Sequence, residues 1–198
     1  MENLQFPLSF LFKIASLAND FSVTDAGGSS LCYVRQKLFK FVDEVDVYSD
    51  ASRTRLLYKI KANQWIDFSA TYTFSDSQGQ ELGRIARKGW ASLWRSRYEL
   101  FDERQQQDLL IREENPWAKV ADALFGEIPL LGMFTGYVFN PSYLVSRPDG
   151  RAVLRLQKMP SLIGRRFQLQ QLDSFEPGEE TRSVLGLMMM ILLERRRG

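Results

Sequence analysis

The densest group of side chains able to recognise a charged partner is Arg84, Arg87, Lys88, Arg95 and Arg97, interleaved with Trp90 and Trp94. Guanidinium forks match phosphate geometry and indole rings settle where water meets lipid, so these types at this spacing suit an anionic group at a membrane surface. The alternative is a solvated strand edge whose tryptophans turn into the core. Carboxylates cluster at Asp43-Glu44-Asp46, Glu113-Glu114 and Glu179-Glu180. Neighbours on a strand face opposite ways, so these clusters read as solvated charge and not as a paired acid and base.

Other chemistry is removed by what the chain lacks. It has no histidine, which excludes Ser-His-Asp and Cys-His nucleophile systems and histidine-ligated zinc. Cys32 is the single cysteine, with no partner for a disulfide or a metal site, and it fits a reducing, cytoplasmic setting. No GxxxxGK[ST] or GxGxxG segment is present to cradle phosphates. A net charge of +2 gives no global field for nucleic acid. The expectation is therefore a protein that is not an enzyme, uses no cofactor or metal and does not bind nucleic acid.

The elements that must position the basic cluster are legible as a repeat. Phe21-Ser-Val-Thr-Asp25 through Arg35-Gln-Lys37 matches Tyr72-Thr-Phe-Ser-Asp76 through Arg87-Lys88 in length and in the order of its landmarks. An aromatic opens an alternating strand, Asp and Gly make the turn, and a second alternating strand ends in basic residues. A third copy, Tyr98-Glu-Leu-Phe-Asp102 through Arg112-Glu-Glu114, lacks the glycine. A fourth runs from Tyr143 through Pro148-Asp149-Gly150 to Lys158. The turn residues Asp25, Asp76, Gly79 and Gly150 read as structural, because no calcium-loop pattern surrounds them.

Further strand-like runs are the apolar N-terminal Leu4–Phe12 continuing into the alternating Lys13–Leu17, then Glu44–Tyr48, Arg55–Lys61, Val138-Phe139 and Arg166–Leu172, making about a dozen short strands. The N-terminal run has Glu2 in place of a basic region and no small-residue cleavage site, so it reads as a strand and not as a signal peptide. Two segments have helical character. Trp117–Phe125 has apolar residues at helical spacing and stops near Gly126 and Pro129. Val184–Leu193 is apolar on every face, with Glu179 and Glu180 before it and arginines after it, as the helix dipole favours. It spans only about 15 Å as a helix, half the ~30 Å of a bilayer core. A helix apolar all round must be enclosed all round, and in a β-rich chain the economical enclosure is a closed sheet.

The hairpin pattern in Phe21–Lys40, Glu44–Tyr48 and Phe68–Lys88, together with the apolar stretch Val184–Leu193, resembles the tubby C-terminal-like superfamily. Within it the likeness is to the LURP-one-related and phospholipid scramblase-like branch. The resemblance extends over nearly the whole chain, 1–198, as a single domain. It implies a mainly β fold, a twelve-stranded closed barrel around a central hydrophobic C-terminal helix, with one short helix near 117–125. Asn115–Tyr143 stands out as an insertion relative to that plan.

The resemblance also implies a non-enzymatic binding module for an anionic phospholipid headgroup, by analogy with the phosphoinositide site of tubby domains. Arg84, Arg87, Lys88, Arg95 and Arg97 are its expected headgroup contacts, with Trp90 and Trp94 against the membrane. A second route to a membrane is the apolar segment Ile128–Tyr137, which contains Gly132-x-x-x-Gly136. Scramblase-like lipid transport and a structural or protein-interaction module are the alternatives. The expected location is cytoplasmic, peripheral at a membrane, with a protein partner left open.

Overall fold

A computed structural model describes residues 3–12, 20–37, 44–63, 71–87, 97–114, 141–161 and 164–195. Within them lie twelve strands: β1 (Leu8–Phe12), β2 (Phe21–Thr24), β3 (Ser30–Lys37), β4 (Glu44–Tyr48), β5 (Leu56–Ala62), β6 (Thr71–Asp76), β7 (Glu81–Arg87), β8 (Arg97–Phe101), β9 (Gln107–Glu113), β10 (Ser142–Ser146), β11 (Ala152–Met159) and β12 (Arg166–Gln171). A helix, α1 (Glu179–Arg195), follows them. Each strand pairs antiparallel with its neighbours in sequence, and β1 pairs with β12, with Leu8 opposite Leu169 and Phe10 opposite Phe167, which closes a barrel. Closure leaves no strand edge unpaired. The fold expected from the residues and from the tubby-like resemblance is the one observed.

Alternation decides which side chains face inward. Phe21 and Val23 on β2, Cys32 and Val34 on β3, and Tyr72 and Phe74 on β6 are buried, while the residues between them are less so or lie on the outer wall. Burial pushes the Cys32 thiol up to about 12, which keeps it protonated and unreactive at neutral pH. The helix expected over Trp117–Phe125, the run Val138-Phe139 and the apolar segment Ile128–Tyr137 lie outside the described residues.

One rim of the barrel is a ring of repeated turns. In the β2–β3, β6–β7 and β8–β9 turns, the carboxylates of Asp25, Asp76 and Asp102 accept backbone N–H groups two or four residues on, at 2.8–2.9 Å. The residue three places after each turns back left-handed: Gly28 at φ 81°, Gly79 at 86° and Gln105 at 64°. The β10–β11 turn repeats this with Arg147 and Gly150, and the β4–β5 turn with Asp50 and Arg53 (φ 61°). A bulge lies on the strand after every one of the five, where Leu31, Leu57, Leu82, Asp108 and Val153 are the extra residues. This is a turn closed by a left-handed residue, which sharpens the strand twist. The β4–β5 copy escapes a reading of the sequence because arginine stands where glycine is expected. We call this end the turn rim. At the opposite end, the far rim, strands meet through 13–19, 38–43, 64–70, 88–96, 115–140 and 162–163, which fall outside the described residues.

Helix α1 fills the barrel from the turn rim to the far rim. Val184, Leu185 and Leu187 through Leu192 are all buried, with three successive methionines among them, whose flexible side chains fit irregular gaps between strands. Among the described residues no helix is long and apolar enough to cross a membrane. Ion pairs and caps fix the start of the helix. Arg147 donates to both carboxylate oxygens of Glu179, at 2.9 and 2.7 Å, and Glu179 also accepts the N–H of Glu176. Glu180 accepts the backbone N–H groups of Asn3 and Leu4, and Arg182 pairs with Asp108. The helix runs closest to β7 and β8. Two glycines permit that approach: a Cβ on Gly186 would stand 2.7 Å from the Leu100 side chain on β8, and one on Gly83 of β7 would stand 2.8 Å from the Arg182 side chain on α1.

Candidate functional site

The basic cluster read from the sequence is divided by the barrel wall. Arg84 sits on the outer wall opposite Phe101, its guanidinium carbon 4.4 Å from the ring centroid. Arg97 also faces outward, directly opposite Arg112, with Glu99 3.5 Å away. Arg87 alternates with Gly83 and Ile85 and pairs with the buried Tyr98, so it turns inward at the far rim. Arg84 and Arg97 thus share a wall, and Arg87 belongs to the barrel mouth. Lys88, Arg95, Trp90 and Trp94 lie outside the described residues, on the stretch joining the paired ends of β7 and β8.

The mouth gathers groups that are scattered in the sequence. Glu194, near the end of α1, accepts a hydrogen bond from the Tyr98 hydroxyl at 2.7 Å, and Tyr143 lies close to the same carboxylate. Burial, reinforced by the charge of Glu194, pushes both tyrosine hydroxyls well above their usual range, so both stay protonated as donors. The Nε of Arg87 is buried here without a hydrogen-bond partner. Beside Glu194 a cavity of about 200 Å³ opens between α1 and the wall formed by β1, β10, β11 and β12. Phe12, Phe167, Met190 and Ile191 line its apolar part, and Lys158 and Arg165 stand at its edge.

At the turn rim a wider hollow of about 630 Å³ is lined by Tyr58, Asp76, Glu81, Glu103, Thr181 and Arg182, among others. Its arginine is already held by Asp108 and by Glu103 at 3.5 Å. No group of three or more potential metal ligands occurs among the described residues.

The carboxylate clusters divide among separate partners. Glu113 turns inward beside Tyr143, while Glu114 faces out and holds Arg155 at 2.8 Å. Glu179 and Glu180 serve different anchors. Glu44 and Asp46 differ from the expectation of opposed faces: two residues apart, they share the outer face, and Lys37 lies 2.6 Å from each. Burial lowers the lysine's affinity for its proton, but the two carboxylates outweigh it and raise the Lys37 pKa. Lys59, 3.6 Å from Glu44, brings a second positive charge, and the four residues make a balanced structural bridge.

Residues 30–127 match the family model described as LURP-one-related. The chain belongs to the LURP-one-related family, within the tubby-like superfamily. No curated protein and no solved structure matches it. The LURP-one-related match runs from β3 through β9, so it holds Arg84, Arg87, Arg97 and Arg112. The cavity is lined from outside it, by β1, β10, β11, the start of β12 and α1. Reading the sequence for dense clusters missed Lys158, Arg165, Arg112 and Glu194, because hairpin pairing brings Lys158 beside Arg165 and Arg112 opposite Arg97, and α1 carries Glu194 to the same end. One signal could have found three far-rim cations. The second strand of each repeat ends in basic residues, and register carries Arg87, Arg112 and Lys158 to the same rim.

Proposed function

We propose that this LURP-one-related barrel is a binding module without catalytic chemistry, and that it engages anionic phospholipid headgroups at a membrane surface through its far rim. The observation that carries this reading is the distribution of charge. Arg87, Arg97, Arg112, Lys158, Arg165 and Arg166 lie at the far rim, while carboxylates predominate at the turn rim. An anionic surface would therefore attract one end of the barrel and repel the other, orienting the protein end-on. Arg112 strengthens the case: it stands opposite Arg97, whose charge Glu99 meets at 3.5 Å, and has no ion-pair partner of its own among the described residues, which leaves it open to an external anion. Lys88, Arg95, Trp90 and Trp94, in the sequence between β7 and β8, are further contacts in this reading, with the whole chain acting as one unit, peripheral to the membrane in the cytoplasm.

Scramblase-like transport is the alternative, and the enclosed helix favours binding over it. A helix that forms the core cannot leave to pass lipid without exposing the barrel interior. The test is flotation with vesicles of neutral, phosphatidylserine and phosphoinositide composition across a salt series. Binding to the anionic vesicles alone, fading with salt and weakened in an Arg97→Gln, Arg112→Gln double variant, is the expected result. Equal binding to neutral vesicles, or no binding to any, overturns the proposal; the second outcome favours a protein-interaction module.

A further inference from the structure

The lean of α1 toward β7 and β8, allowed by Gly83 and Gly186, accounts for the cavity on the other side of the helix. Its walls divide by chemistry. Phe12 and Phe167 meet edge to face with centroids 6.0 Å apart, and with Met190 and Ile191 they make an apolar lining whose members are each 8% exposed or less. At the edge stand Lys158 and Arg165, and neither side chain has a hydrogen-bond or ion-pair partner among the described residues. The one carboxylate in the lining, Glu194, is already engaged by the Tyr98 hydroxyl. Two free cations over an apolar pocket select a molecule with one anionic head and an apolar body. About 200 Å³ equals the liquid volume of roughly seven waters, which limits the body to a short or medium chain.

We propose that this cavity is a binding site for a monoanionic amphiphile such as a medium-chain carboxylic acid, its head between Lys158 and Arg165 and its tail against Phe12, Phe167, Met190 and Ile191. A small apolar void with no role would be closed by the methionine beside it at little cost. This one stands next to two cations that have no side-chain partner among the described residues. The tail can come from a free acid or from the acyl chain of a membrane lipid, and the chemistry of the site is the same for both.

The test is calorimetric titration of the intact protein with octanoate and, in parallel, with octanol. Saturable binding of octanoate with one molecule per chain, at least tenfold tighter than octanol, is expected. Lys158→Gln should lower octanoate affinity about tenfold, and Ile191→Phe should abolish binding by filling the pocket. Because Ile191→Phe can unfold the barrel, the surface change Lys158→Gln carries the test if it does. No saturable octanoate binding, or octanol binding as tightly, overturns the proposal. Flotation of a folded pocket-filling variant, Ile191→Phe or Met190→Phe, which leaves every far-rim cation in place, separates the two sources. Lost octanoate binding with intact vesicle binding marks a free acid, and loss of both marks a membrane acyl chain. Vesicle binding that never occurs, alongside octanoate that binds, removes the headgroup reading and leaves this site standing.

Discussion

The two rims of the barrel end the same twelve strands, yet they treat charge in opposite ways. At the turn rim the charged groups are consumed within the protein: Asp25, Asp76 and Asp102 cap backbone turns, Glu179 and Glu180 tie down the start of α1, and Arg147 and Arg182 neutralise acids. At the far rim Lys37 is held by Glu44 and Asp46, but Arg87, Arg112, Lys158 and Arg165 have no hydrogen-bonding or ion-paired side-chain partner among the described residues. Charge that is satisfied internally serves stability, whereas charge held in place and left unpaired is available to a ligand. The first rim is a foundation and the second an interface. Changes at the first should therefore cost stability and changes at the second should cost binding.

The widest break would come from the element joining both rims. Met189 is fully buried in the middle of α1 among the apolar core residues, so Met189→Asp places a carboxylate inside the hydrophobic core. An unpaired buried charge should cost about 4 kcal/mol or more, enough to unfold a domain of ordinary stability. Circular dichroism and a urea melt would show it. A cooperative, near-native melt would mean that the helix is not the core, and both rims would need another explanation.

Next in size is a test of the foundation alone. Glu179 and Asp108 are both part-buried acids paired with arginine, but their pKa values move in opposite directions. Burial raises both; at Glu179 the two-pronged contact from Arg147 and the N–H of Glu176 outweigh it, and the pKa falls. At Asp108 burial wins over Arg182, and the pKa rises. For Glu179 the depressed folded value means that its stabilisation is present above the ordinary carboxylate range of about 4 and disappears as pH falls through the folded value. For Asp108 the sign is reversed, since the folded state takes up its proton first and acidification relieves a penalty. Glu179→Gln should thus cost about 2–3 kcal/mol at pH 7 and flatten the acid side of the stability profile. Asp108→Asn should cost less and steepen it. Urea midpoints between about pH 3 and 7 would check both. Vesicle binding by either variant should match the parent if the rims divide their roles as described.

How far the sequence reveals this division depends on the distance over which each signal acts. The strands, the turns and the enclosed helix follow from periods of two residues and from Asp and Gly a few positions apart, and all of these are local. The closing pair of β1 with β12 is not local, but an all-apolar helix among strands leaves little choice except a barrel. The candidate site is harder. Arg84, Arg87 and Arg97 stand close in sequence, yet a one-residue change of parity sends Arg87 inward and leaves the other two outside. Lys158 and Arg165 meet across the β11–β12 hairpin, but Glu194 joins them only because α1 runs inside the barrel, and no short sequence window contains all three. Cys32 illustrates the reverse case, where absence of partners in the sequence and burial in the barrel agree on an inert thiol.

The smallest predicted effect concerns the two turns that lack glycine. Arg53 and Gln105 hold φ values of 61° and 64°, where Gly28, Gly79 and Gly150 sit in the other turns. A side chain there costs about 1–2 kcal/mol in the folded state, and glycine costs about 0.5–1 kcal/mol through the freedom of the unfolded chain. Arg53→Gly should therefore stabilise the protein by about 0.5–1 kcal/mol. Gln105→Gly should gain less, because the Gln105 amide donates to Glu81 at 2.9 Å and that exposed bond, worth about 0.5 kcal/mol, is lost. The order of the two variants in a urea melt separates backbone strain from side-chain bonding. Stabilisation of both without change in vesicle or octanoate binding would place these turns wholly in the foundation. Weaker binding in Arg53→Gly, which removes a cation from the acidic rim, would show that the charge of the turn rim also acts at a distance on what the far rim attracts.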